Sequence, residues 1–244
     1  MNRNRRLLNR RILSHRAALA ASFLTMVFVL LASAASAQDR RQNEAGQFDF
    51  YVLALSWSPS FCEASAERGS NQTASNQTTQ DQQCGERRYS FVVHGLWPQY
   101  EKGFPEFCQV PAPRLDRAIV SSMLDLMPSP RLIFHEWDRH GTCSGLAARA
   151  FFENVRKAHA VVKIPAEYLD LTAPLTVTPN DVGDAFVKSN PGLTRAGIAI
   201  SCDSKRLNEV RICLNKDLQF RDCGDNVNRS CRRDTLVMPP VRGG

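Results

Sequence analysis

The order of apolar and polar positions predicts strands at both ends of the chain. Residues 48–57 are almost all aromatic or aliphatic, with Asp49 as the only charge, which is typical of a largely buried strand. Residues 89–94 are a second strand candidate that leads directly into Gly95. Three later segments, separated by turns, alternate or run apolar and predict an antiparallel meander: 196–202, 207–215 and 218–223.

Between these strands, apolar positions recur with helical spacing. This spacing predicts helices at 114–127, 131–140, 144–162 and 180–189. Pro128 and Gly141 would end the first two helices, and Asn180 or Asp181 would cap the last. Strands first, helices in the middle and strands last predict a single α+β domain, with a central, mainly antiparallel β-sheet flanked by helices.

Two segments show no apolar period. Residues 63–83 are dominated by Ser, Asn, Gln and Thr and predict a flexible loop, and residues 232–244 predict a loose C-terminal tail. Two Asn-Gln-Thr sequons in the loop, at Asn71 and Asn76, fit simple polar loop composition. They would matter only in a host that glycosylates.

The N-terminus has the pattern of an export signal. Residues 1–37 consist of a basic stretch, an apolar run and Ala35-Ser36-Ala37, which is a small-x-small cleavage signal. The apolar run approaches the length of a membrane span, so an uncleaved anchor is the alternative. Cleavage after Ala37 would leave one domain, 38–244, long enough for a full core. We expect a periplasmic or extracellular monomer without membrane contact after cleavage.

The net charge of +7 comes mostly from the same N-terminal segment. The segment contains six arginines and no acidic residue. Without it, 25 basic residues stand against 24 acidic ones. A basic total normally favours a nucleic-acid partner, but here the charge does not support one.

All eight cysteines follow the predicted signal. An even number of cysteines behind an export signal predicts four disulfides formed in an oxidising compartment. Eight cysteines allow 105 pairings, and the residues alone do not choose among them. A structural zinc site is the alternative, but no cysteine pair has the Cys-x2-Cys spacing that such sites use.

The highest concentration of potentially catalytic side chains is in residues 134–143, Phe-His-Glu-Trp-Asp-Arg-His-Gly-Thr-Cys. On a helix, His135 would lie beside Arg139, and Glu136 beside His140, one turn apart. The first pair could hold an anionic phosphate. The second could orient a histidine and tune its proton transfer.

A second motif, His94-Gly95-Leu96-Trp97-Pro98, stands upstream and supplies a third imidazole. Two histidines can serve as base and acid in one turnover, because imidazole titrates near neutral pH. A zinc protease would need His-Glu-x-x-His, whereas His135 and His140 are five residues apart. Ordinary polar residues at a helix start would explain one histidine, but three with a glutamate and an arginine indicate a catalytic site.

Both motifs closely resemble the active-site segments of the ribonuclease T2 family. Residues 51–57, Tyr-Val-Leu-Ala-Leu-Ser-Trp, are similar to the first core strand of its bacterial ribonuclease I-like branch. The similarity spans about 48–231. It implies an endoribonuclease that cuts single-stranded RNA by transesterification and leaves a 2′,3′-cyclic phosphate. Our own expectation is low base specificity.

The resemblance also implies a role for each residue of the two motifs. His140 would be the base that takes the 2′-hydroxyl proton, and His94 the acid that protonates the leaving 5′-oxygen. His135 would bind the phosphate, while Glu136 and Arg139 would stabilise the pentacovalent transition state. The substrate carries the nucleophile, so no metal or other cofactor is expected. DNA, which lacks the 2′-hydroxyl, should be inert.

The chain departs from the family pattern at two of these positions. Arg139 stands where the family usually has Lys, which spreads the charge over a planar fork. Gln99 stands where an acid is common, and an amide both donates and accepts, so base preference does not carry over. Trp97 and Tyr100 are candidates for stacking a base, with core packing as the alternative.

The family finally implies a disulfide pattern: Cys62–Cys84, Cys108–Cys143, Cys202–Cys231 and Cys213–Cys223. The second pair would tie the end of the catalytic helix to the loop after the first motif. A protein on the same scaffold that binds RNA or another polyanion without cutting it is the alternative function. A metallohydrolase is a third and more distant one.

Overall fold

A computed structural model describes residues 41–69, 81–85, 87–224, 227 and 231–241. They belong to one compact unit, Asp39–Gly244. The predicted signal segment, the predicted sequons and the middle of the predicted polar loop lie outside the described residues. Within the described ranges, no helix combines the length and the apolar character that a membrane span requires.

The described residues form six strands and six α-helices. The strands are β1 (Phe50–Trp57), β2 (Phe91–Gln99), β3 (Leu175–Val177), β4 (Ile198–Cys202), β5 (Leu207–Leu214) and β6 (Leu236–Met238). The helices are α1 (Ser58–Gly69), α2 (Asp81–Cys84), α3 (Arg117–Met123), α4 (Pro130–Arg139), α5 (Ala148–Val161) and α6 (Pro179–Ser189). Four disulfides join them. The predicted α+β fold with a disulfide-stapled, single domain is confirmed.

The central sheet has the order β2-β1-β5-β4, and all its neighbouring pairs are antiparallel. Side chains alternate between its two faces. We call one the core face, on which Leu53, Leu55 and Trp57 are fully buried in the main hydrophobic core. We call the other the cleft face, where Phe50 and Val52 form a smaller apolar cluster.

Ser129 and Pro130 determine where helix α4 begins. Ser129 caps its N-terminus by accepting a hydrogen bond from the Leu132 amide, and Pro130 occupies the first turn. Ile133 and Trp137, one turn apart, are buried in the main core. This burial turns the intervening polar residues of the helix toward the cleft face.

The predicted flexible loop at 63–83 is wrong at both ends. Its start belongs to α1 and its end to α2. Arg206 holds α1 through ion pairs with Glu63 at 3.5 Å and Glu67 at 2.8 Å. Polar composition concealed this helix because ion pairs and the Cys62–Cys84 disulfide help to attach it.

The predicted loose tail at 232–244 is wrong for its described part. Strand β6 pairs with β3, Met238 and Val241 are buried, and the Trp57 indole donates to the Pro239 carbonyl at 3.1 Å. Strands of three residues are too short for a period of two to be recognised.

Other predicted bounds also change. The third segment of the meander makes only an isolated bridge between Leu214 and Phe220. Helix α5 begins at Ala148, because Gly141–Ser144 forms a separate 3-10 turn. The cap of α6 is Thr178, which forms a capping box with Asp181.

Candidate active site

His94 lies at a β-bulge in β2. Ala54 of β1 pairs with Gly95 and Leu55 pairs with Val93, so His94 is the extra residue between them. Bulges bend a strand and redirect a side chain, and they are frequent beside active sites. The imidazole projects from the cleft face with about a third of its surface exposed (35%).

Strand β5 supplies two charged residues behind this imidazole. Glu209 and Arg211 are two positions apart, so both project from the cleft face. One carboxylate oxygen of Glu209, Oε1, lies 2.5 Å from His94 Nδ1. The other, Oε2, accepts hydrogen bonds from Arg211 Nε at 2.9 Å and Nη2 at 2.7 Å.

Helix α4 contributes Glu136 from the opposite side. Its Oε1 lies 3.5 Å from His94 Nε2, and its Oε2 accepts a hydrogen bond from the Trp97 indole at 2.7 Å. A Cβ at position 95 would collide with the Glu136 carboxylate and the Trp97 indole nitrogen. Gly95 is therefore required for this close approach.

His140 forms the C-terminal cap of α4. Its backbone amide donates to the Glu136 carbonyl at 3.0 Å. Its imidazole is 8% exposed and lies with its ring centre 5.4 Å from that of Trp97. Its Nδ1 is buried, with no hydrogen-bond partner among the described residues. The ring is thus held in an apolar setting at the base of the cleft.

Arg139 and His135 complete the site on the more exposed side of α4. Arg139 Nε and Nη2 donate to Glu106 Oε2 at 3.0 and 2.9 Å, and the guanidinium lies over the Phe107 ring. His135 is exposed. All five predicted catalytic residues line one cleft of about 310 Å³, together with Trp97 and Gln99. No cluster of possible metal ligands occurs within the described ranges.

The environment drives the pKa values of the two inner histidines apart. Burial, helped by the charge of Arg139, lowers the pKa of His140 to about 3. Burial alone would also lower the pKa of His94, but the hydrogen bond and charge of Glu209 raise it. At neutral pH His140 is therefore neutral, while His94 keeps its proton to a higher pH than an ordinary histidine.

The pKa values of the two carboxyl groups, Glu136 and Glu209, are also shifted in opposite directions. Burial raises the pKa of Glu136 to about 7. Burial would also raise the pKa of Glu209, but its hydrogen bond to His94 and the charges of His94 and Arg211 lower it to about 2. Glu209 is therefore the ionised partner of His94, whereas Glu136 keeps its proton to a higher pH than an ordinary carboxyl.

Comparison with known proteins identifies the family to which this geometry belongs. The model of the ribonuclease T2 family matches residues 48–223, which include both histidine motifs. The chain belongs to the ribonuclease T2 family.

Relatives place the chain in the bacterial ribonuclease I-like branch. A ribonuclease of Aeromonas hydrophila is 32% identical over 228 residues, which cover 90% of this chain and 98% of the relative. Ribonuclease I of Escherichia coli strain K12 is 24% identical over 230 residues, covering 80% and 85%. The solved structure of RNase NT in complex with 5′-AMP is similar in fold, with a TM-score of 0.58 and 24% identity, covering 80% and 99%. The chain is accordingly a ribonuclease T2-type ribonuclease.

Tyr100, which was predicted to bind the substrate, is not among the residues that line the cleft. Tyr100 is fully buried, and its hydroxyl donates to the Arg41 carbonyl at 2.6 Å and accepts from the Asn43 amide at 3.2 Å. The prediction that Tyr100 stacks a base is therefore wrong, and core packing is its role. Gln99 does line the cleft, but its side-chain amide donates to the Pro98 carbonyl at 2.9 Å.

The four disulfides are the pairs that the family resemblance implied: Cys62–Cys84, Cys108–Cys143, Cys202–Cys231 and Cys213–Cys223. Cys143 follows His140 by three residues and bonds the loop after β2. In the same loop, the Phe107 amide donates to the Arg139 carbonyl at 2.8 Å. The disulfide and this bond together fix the C-terminal end of α4.

Sequence reasoning missed Glu209, Arg211 and Glu106. Glu209 and Arg211 were visible as two charges at alternate positions of a largely apolar strand, which places them on one face. Their partner His94 is 115 residues away from Glu209, so the contact itself needed the sheet register. Glu106 had no local signal.

Proposed function

We propose that this ribonuclease cleaves single-stranded RNA by metal-independent transesterification and leaves 2′,3′-cyclic phosphate ends, with low base specificity. One observation supports the proposal most strongly. His94 and His140, from separate segments, line one cleft in environments that favour opposite protonation states. That is the arrangement that a reaction with one general base and one general acid requires.

His140 is the general base. Its neutral imidazole takes the 2′-hydroxyl proton as that oxygen attacks the adjacent phosphorus. The pKa of about 3 reflects burial and the nearby positive charge of Arg139. A phosphodiester anion in the cleft offsets the positive charges that help to lower this pKa, so His140 becomes more basic when the substrate binds.

His94 is the general acid. The 5′-oxygen leaves with the electron pair of its bond to phosphorus and takes the proton from the imidazolium. Glu209 favours the charged form of His94 that this step needs. The downstream fragment has a 5′-hydroxyl, and the upstream fragment carries the cyclic phosphate.

Three residues hold the phosphoryl group. Protonated Glu136, whose pKa burial raises to about 7, donates a hydrogen bond to a phosphoryl oxygen instead of repelling it. Arg139 bonds Glu106 through two nitrogens, and a guanidinium has five N–H donors, so some remain for the substrate. Exposed His135 binds the phosphate at the entrance.

Low base specificity is consistent with the rest of the cleft lining. Gln99 has its amide engaged by the neighbouring carbonyl, while Val52, Phe104 and Val227 are apolar. Apolar and aromatic surfaces stack any base, whereas edge-reading hydrogen bonds would select one. DNA is inert in this scheme because the nucleophile is the 2′-hydroxyl.

The site of action follows from the redox chemistry. Four disulfides need an oxidising compartment, and residues 1–37 have the pattern of an export signal. We propose that the mature enzyme acts as a monomer in the periplasm or outside the cell.

The test is product analysis on defined dinucleotides in excess EDTA, with the mature wild type and the His94→Ala variant. The wild type should release a 2′,3′-cyclic phosphate, and the variant should lose orders of magnitude in rate. Binding without cleavage would favour the alternative of a polyanion-binding protein. Cleavage only with added metal would reject the mechanism in favour of a metallohydrolase.

A further inference from the structure

The mechanism above uses only the charge of Glu209, but the pair that Glu209 forms with Arg211 on β5 also lies directly behind the proposed general acid. Glu209 is 7% exposed and both of its carboxylate oxygens are engaged. Burying a carboxylate is costly unless hydrogen bonds and opposite charge compensate. A buried charge on a strand that could be wholly apolar therefore indicates a role other than packing.

The geometry gives the two oxygens of Glu209 separate tasks. Oε2 is held by two nitrogens of Arg211, whose guanidinium lies 5.3 Å from the ring centre of Trp97. With that oxygen fixed, Oε1 faces His94 Nδ1 at 2.5 Å. The orientation of the carboxylate is thus determined before it meets the imidazole.

We infer that Glu209 is the positioning residue of the general acid: it accepts the Nδ1–H of His94 and leaves Nε2 to deliver the proton to the leaving oxygen. This inference rests on the proposed function, in which His94 is the acid. In the reaction the P–O5′ bond breaks, its electron pair stays on oxygen, and the Nε2 proton moves to that oxygen. His94 ends neutral, with its Nδ1–H still directed at Glu209.

The other charged groups around His94 do not provide this contact. From β5, Arg211 disfavours the imidazolium; from α4 and its cap, His135 and His140 carry no negative charge. Glu136 lies 3.5 Å from Nε2, on the side that must face the substrate. Glu209 is the one carboxylate at hydrogen-bond distance on the Nδ1 side among the described residues.

The test is Glu209→Gln, assayed on two substrates that differ only in leaving group. Uridylyl-3′,5′-adenosine has a poor leaving group that needs the acid, whereas uridine 3′-(4-nitrophenyl phosphate) has a good one that does not. We expect kcat/KM to fall about 10- to 100-fold on the dinucleotide and less than about threefold on the nitrophenyl ester. The alkaline limb of the pH profile should move down by about 1 pH unit or more, because an anionic neighbour is lost.

Two further variants make the test specific. Glu67→Gln on α1 removes a carboxylate that also bonds two guanidinium nitrogens, of Arg206, at 3.0 and 2.8 Å, and it should alter neither substrate's rate. Glu209→Asp keeps the charge but withdraws it by one methylene. It should show the same dependence on leaving group with a smaller shift of the alkaline limb, and it serves in place of Glu209→Gln if the latter does not fold.

Equal losses on both substrates with an unmoved alkaline limb would show a merely structural role for Glu209 and overturn the inference. Unchanged rates on both would overturn it as well. His94→Ala separates the two levels of the account. If His94→Ala shows the leaving-group dependence and the Glu209 variants do not, this inference alone fails. If His94→Ala lacks that dependence, the assignment of the acid fails too.

Discussion

The two faces of the central sheet follow different rules. On the core face, Leu53, Leu55 and Trp57 are completely buried and pack among apolar side chains. On the cleft face, Glu209 is also buried, with 7% of its surface exposed, but it is held by hydrogen bonds to His94 and Arg211. The same strands thus provide hydrophobic stability on one side and, on the other, a polar setting that separates the pKa values of two histidines. Substitutions on the two faces should therefore affect different properties.

The largest effect on activity is expected from His140→Ala on the cleft face. Loss of the proposed general base should lower kcat/KM about 10²- to 10⁴-fold, measured on a dinucleotide. The same substitution should reduce the loss of folding stability that acid causes in the wild type. Unfolded His140 binds a proton near pH 6.5 but the folded residue only near pH 3, so the wild type loses stability as the pH falls between these values.

The His140→Ala variant should lack that loss, which denaturant unfolding at pH 7 and pH 4 will show. A stability difference between variant and wild type that is the same at both pH values would contradict the buried, neutral state of His140.

The matched substitution on the core face is Leu53→Ala. Removing a fully buried leucine should reduce the free energy of unfolding by about 2–5 kcal/mol. The folded enzyme should keep its kcat, because Leu53 does not line the cleft. The measurement is denaturant unfolding together with kcat under conditions where the variant is folded. A fall in kcat as large as that of His140→Ala would remove the distinction between the faces.

Removing single disulfides should separate stability from activity in the same way, with a smaller effect on activity. Removing Cys108–Cys143 or Cys202–Cys231 by double serine substitution should cost about 2–5 kcal/mol of stability in either case. Only the first should also lower kcat/KM, because Cys143 follows His140 and the bonded loop contacts Arg139. Thermal unfolding and dinucleotide kinetics on both variants test this. Equal activity losses would contradict the supporting role of the Cys108–Cys143 bond.

A change in pH is the mildest perturbation of the cleft face. His140 must be neutral and His94 protonated, so kcat/KM should rise through about pH 3 and fall where His94 loses its proton, at a higher pH than an ordinary histidine because Glu209 raises its pKa. Loss of the Glu136 proton near pH 7 adds to the fall. The acid limb of kcat should lie at higher pH than that of kcat/KM, because the bound phosphate makes His140 more basic. A constant rate from pH 4 to pH 9 would contradict the two-histidine scheme.

The core face and the catalytic helix could be predicted from the sequence. Apolar runs specify β1, and helical spacing with a serine cap and a proline specifies α4. Histidine spacing on α4 and the motif around His94 then suffice to propose a phosphodiester site. These signals are local, and each lies within about ten residues of the chain.

The features that could not be predicted from the sequence depend on contacts between distant segments. The Glu209 contact needs the register of β5 against β1 and the bulge at His94. The buried state of Tyr100 depends on Arg41 and Asn43, which are nearly sixty residues away. The three-residue strands β3 and β6 have no period of their own and form only because the chain brings them together.

The central claim is that the 2′-oxygen of the substrate is the nucleophile, activated by one histidine while another protonates the leaving group. The most direct measurement compares a dinucleotide with its 2′-O-methyl analogue under identical conditions in EDTA. The account predicts a 2′,3′-cyclic phosphate from the first and no cleavage of the second. Cleavage of the methylated analogue at the rate of the natural dinucleotide would contradict it.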